Sequence, residues 1–141
     1  MSMSLFIFFA LQKAPNVTEI ENAFKKQQLP VTFTEKVDFS KHSGFTPLKI
    51  NGEESGFYFL LEDFDDLSSH IRAIKEKGIK PGPVYSLEYG GHAKECAAAF
   101  YTATALVAEL GGIAFEPQGG TFMNAAELKS AAEMCLQMEK M

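Results

Sequence analysis

The sequence predicts an α+β protein, with a single mixed β-sheet of about six strands and four helices packed on it, the central helix spanning about 92–110. Three observations carry that expectation. Residues 92–112, HAKECAAAFYTATALVAELGG, are alanine-rich and proline-free, which favours helix, and they are apolar on nearly every side. A helix of that kind has to be covered over most of its circumference. Short alternating or continuous apolar runs of strand length recur along the chain, punctuated by proline and glycine. Their order with the helical segments, β-α-β, hairpin, α, β-α-β, α, leaves no linker or low-complexity stretch, and one layered sheet satisfies it. At 141 residues the chain is expected to form one domain, 1–141.

Residues 4–11 read as the first, buried strand. No Lys or Arg precedes this apolar run, no cleavage-type site follows it closely, and it is too short to span a bilayer, so a cytoplasmic location is expected. Asn16 with Glu19 three residues on forms a capping pattern for a helix over about 17–28, whose apolar face is Val17, Ile20 and Phe24. Residues 31–39 alternate and predict a half-exposed strand. Asn51 and Gly52 sit between two extended runs, each opened by Ser-Gly-Phe, and predict a tight hairpin because both turn residues accept positive φ. Pro47 suits a strand edge. Leu67, Ile71 and Ile74 mark one helix over about 65–77, closed by Gly78. Residues 84–89 form a strand, and Gly90 and Gly91 lead into the central helix with its stripe of Cys96, Phe100, Ala103, Val107 and Leu110. Residues 113–115 form a short strand. Asn124 with Glu127 caps a last helix that turns Leu128, Ala132 and Cys135 inward.

Composition excludes some functions. The net charge of −5 argues against a general affinity for nucleic acid, which needs a basic surface. The two cysteines lie in different helices without a CxxC pair, and are expected to be free thiols packed as small hydrophobes.

Candidate chemistry is sparse. Glu53, Glu54, Glu62, Asp63, Asp65 and Asp66 form an acidic region suited to a basic protein partner. It lacks the ligand spacing of a calcium loop, and acids before a helix also satisfy its amino end. His92 and Cys96 share a helix face at a spacing that serves metal pairs or a Cys–His nucleophile, but Phe100 and Ala103 on that face mark it as core. Gly90 and Gly91 before a helix with Lys94 in its first turn offer an anion cradle, without a GxGxxG or P-loop pattern. No metal set, cofactor motif or catalytic constellation is defended.

The paired SGF arms, followed by ALVAELGG and IAFEPQGG, resemble small bacterial α/β proteins of unknown function, some of them immunity or accessory partners of secreted toxins. The resemblance covers roughly residues 40–125 and implies a binding role; it assigns no residue. The first expectation is therefore a non-enzymatic protein-binding factor of immunity or accessory type, using Glu53, Glu54, Glu62 and Asp63 against a basic partner, with no nucleic acid and no membrane. The alternative is a small-ligand binder or enzyme using a pocket near residues 90–94 and the 40–45 loop, with His42, Gly91, His92 and Lys94. A polar pocket at His92 would favour the alternative, and a flat acidic surface the first.

Overall fold

A computed structural model describes residues 3–9, 13–41 and 43–139. The described residues form seven strands in one sheet and five helices, an α+β arrangement with the central helix packed on the sheet as expected. In chain order the elements are β1 (Met3–Phe8), α1 (Val17–Lys26), β2 (Val31–Phe33), β3 (Gly44–Ile50), β4 (Glu53–Glu62), α2 (Phe64–His70), α3 (Arg72–Lys77), β5 (Val84–Tyr89), α4 (Ala93–Leu110), β6 (Ile113–Glu116), β7 (Thr121–Met123) and α5 (Ala125–Glu139). The spatial order is β2-β3-β4-β5-β1-β6-β7.

Every strand pair is antiparallel, where a mixed sheet was expected. The cause is an insertion. The β5-α4-β6 crossover makes β5 and β6 run the same way, but β1 lies between them, pairing Leu5 with Leu87 on one side and Phe6 with Phe115 on the other.

Alternation along the strands then gives the sheet two apolar faces. Leu5, Ile7, Phe57, Phe59, Tyr85 and Leu87 face α1, α4 and α5 in the main core. There α4 packs between the other two helices, and residues 97–106 are all buried. Its two buried threonines stay satisfied because Thr102 Oγ1 donates to the Ala98 carbonyl at 2.8 Å and Thr104 Oγ1 to that of Phe100 at 2.7 Å. On the opposite face Phe8, Val84 and Phe115 meet Ile74 of α3 and Phe64 of α2 in a smaller core.

The local signals near the helix ends hold. Asn16 and Glu19 form a full capping box, Asn124 and Glu127 exchange the same two bonds, and Gly78 and Gly111 close α3 and α4 in the left-handed conformation. Asn51 at φ 53° and Gly52 at φ 80° make the hairpin turn.

Three elements depart from expectation. The strand over 31–39 stops at Phe33, because the next partner is Pro47: the Thr34 amide donates to its carbonyl at 3.2 Å, but proline has no N–H to return. The helix over 65–77 divides at Ile71, which is extended at φ −114°. The hydroxyl of Ser69 donates to the Asp66 carbonyl at 2.8 Å and His70 Nδ1 lies 2.8 Å from the same oxygen, so local side chains compete with the helix ladder. Finally, β7 adds a seventh strand; its three residues carry no alternation long enough to read.

The cysteines also differ from expectation. Cys96, in the first turn of α4, and Cys135, on the inward stripe of α5, form a disulfide, with Cα atoms 5.9 Å apart. Each stripe was legible separately, but their juxtaposition is a product of tertiary packing. No helix among the described residues is long and apolar enough to cross a membrane.

Candidate functional site

The site begins with an overhang. Strand β4 is ten residues long, but β5 pairs only with its far half, Tyr58 to Glu62, so residues 53–56 extend past the end of β5. On leaving β5 the chain turns at Gly90 and Gly91 and starts α4 at Ala93 beside that overhang. An ion pair ties the two together, with Lys94 Nζ 2.6 Å from Glu53 Oε2. The bond and charge of Lys94 hold the Glu53 carboxyl below its usual range.

Between hairpin and helix start lies an open cleft of about 560 Å³. One wall is Thr34, Phe45 and Pro47, the floor comes from residues 54–56, and the other wall is residues 92–95. Gly56 shapes it. A Cβ at that position would fall on the Phe45 ring and 2.7 Å from the Thr46 carbonyl oxygen, so only glycine lets the ring lie across β4. Phe45 also meets Tyr58 edge-on at 5.4 Å, and both rings remain about half exposed. In the opposite wall Glu95 Oε1 accepts from the Gly90 amide at 3.3 Å. Ser55 Oγ is buried and has no hydrogen-bond partner among the described residues. Native structures seldom leave such an atom unmatched.

Of the predicted ligand-site residues, His92 and Lys94 stand in the cleft wall, Gly91 lies in the turn beside them, and His42 falls outside the described residues. Ala93 and Glu95 complete their wall. Phe45 stands at the end of the expected 40–45 segment, whereas Thr34, Pro47, Ser55 and Gly56 were not among the expected site residues. The hairpin turn contains the signal, since fixing the register at Asn51 and Gly52 sets Pro47 opposite Gly56 and Phe45 opposite Tyr58.

The four predicted partner-binding acids do not form one patch. Glu53 is in its ion pair and Glu54 in the cleft, while Glu62 and Asp63 lie at the other end of β4, about 30 Å away at the usual strand rise. Asp63 caps α2, accepting from the Asp66 amide at 3.0 Å. Glu62 is partly buried, and that burial, together with the negative charges of Glu88 and Asp66, raises its pKa. Raised acids oppose folding once ionised. The penalty is complete above the folded pKa and vanishes below the unfolded one, near 4.3. Glu62→Gln is therefore expected to raise the melting temperature at pH 7 and leave it unchanged near pH 3.5; an equal gain at both would assign the effect to packing.

Among the described residues no three His, Cys, Asp or Glu side chains come together as a metal set. No family model matches the chain, and searches of characterised proteins and of solved structures return no match either.

Proposed function

We propose that the protein binds a small ligand in the cleft between the β3–β4 hairpin and the start of α4. The cleft itself carries this reading: its volume of about 560 Å³ lies within the range of about 300–1,000 Å³ common to small-molecule sites. Its composition agrees, with Phe45, Pro47 and Ala93 giving apolar wall and His92, Lys94 and Glu95 giving polar groups from one helical turn. The unmatched Ser55 hydroxyl supplies a further point of attachment.

The test is a block. Thr34 is exposed and lines the cleft, so Thr34→Trp should fill the mouth while changing stability by only about 0.5 kcal/mol. A fragment library screened by ligand-observed NMR is expected to give binders that lose at least tenfold in affinity with this variant. Binders indifferent to it would place the site elsewhere.

The exposed Phe45 and Tyr58 favour a second reading, in which the hairpin docks a protein with a basic surface, as an immunity or accessory factor would. Glu54 beside them supplies charge for that contact.

A further inference from the structure

We propose that the cleft is selective for a positively charged nitrogen on an apolar body, an ammonium or guanidinium group carried by an aryl or alkyl chain. The inference rests on the ligand-binding reading above and adds the chemistry of the ligand. Glu54 and Glu95 line the cleft, and neither makes an ion pair within the described residues. Among the described residues Lys94 is the one lysine or arginine in the lining, and Glu53 meets its charge at 2.6 Å. The amino end of α4 contributes about half a positive charge, so with histidine counted as neutral the cleft retains about one and a half negative charges.

Magnitudes favour the cation over the anion. A carboxylate ligand would have to displace Glu53 from Lys94 and then sit beside Glu54 and Glu95, which carry no ion pair among the described residues. A cation meets those glutamates directly. Phe45 adds to the selectivity, because a ring face attracts cations and a partly desolvated wall strengthens that attraction. Ser55 Oγ, buried in the floor, can accept an N–H. An apolar body is needed as well, since Pro47 and Ala93 form wall that a bare cation would leave wet. The same chemistry is offered by a free amine and by a lysine side chain of a polypeptide.

The test compares 2-phenylethylamine, 2-phenylethanol, 3-phenylpropanoate and a blocked tripeptide with central lysine, each titrated by NMR while the amides of Gly56 and residues 92–95 are followed. The amine or the lysine peptide should bind at least tenfold more tightly than the alcohol and the carboxylate. Glu54→Gln and Glu95→Gln should each weaken the cationic probe severalfold without changing the alcohol. Whichever cationic probe binds more tightly identifies the source of the group, a free amine or a partner's side chain. Equal or tighter binding of the alcohol or carboxylate, still lost in Thr34→Trp, would overturn the charge selectivity and leave the cleft intact as a binding site. No shift at these amides with any of the four probes would overturn both readings.

Discussion

Joint replacement of Cys96 and Cys135 by alanine is expected to lower the unfolding free energy by about 4 kcal/mol, the chain-entropy value for a cross-link closing a loop of this length. The two residues are 39 positions apart, and the bond joins the first turn of α4 to the inward stripe of α5. Both sites lie against apolar neighbours, with Cys135 only 5% exposed, so alanine leaves no polar group unsatisfied. Urea denaturation measures the difference, and the wild type in a dithiol reductant should approach the variant. A loss below 1 kcal/mol would mean that the two thiols are not joined in solution.

Phe59→Ala is expected to cost about 3–5 kcal/mol, the usual consequence of emptying a buried aromatic site. Phe59 is 1% exposed, and its ring lies 4.6 Å from that of Phe39 and 4.5 Å from that of Tyr85. Those contacts hold the irregular segment after β2 onto the sheet, since Phe39 has no strand of its own. The substitution should therefore also loosen residues 34–41, seen as faster amide exchange there than in α5. A small stability loss with unchanged exchange would contradict the packing described.

The sequence was most legible where one local cause decides the outcome. Capping pairs at Asn16 and Asn124, the Asn51 and Gly52 turn, and the alanine-rich run of α4 each act within a few residues. It was least legible where partners are distant. The end of β2 depends on meeting Pro47, antiparallel pairing depends on β1 lying between β5 and β6, and the disulfide depends on how α4 meets α5. The candidate site divides the same way. His92 and Lys94 stood out as polar residues at a helix start, whereas Phe45 and Gly56 matter only because their strands lie side by side.

The position of β1 also governs how this chain reaches its native state. Strand β1 precedes both its neighbours in the chain, and β5 and β6 are synthesised only after all of the hairpin and the α2–α3 region. Until they arrive, β1 has no ladder to join, and its backbone is open on both edges. Pairing across such sequence distance is slow, because loop-closure entropy is lost before the contacts form. Folding is accordingly expected to end with β1 inserting into a gap held open by β5 and β6. A nascent chain stalled before residue 84 would expose an aggregation-prone strand that the finished protein keeps at its centre.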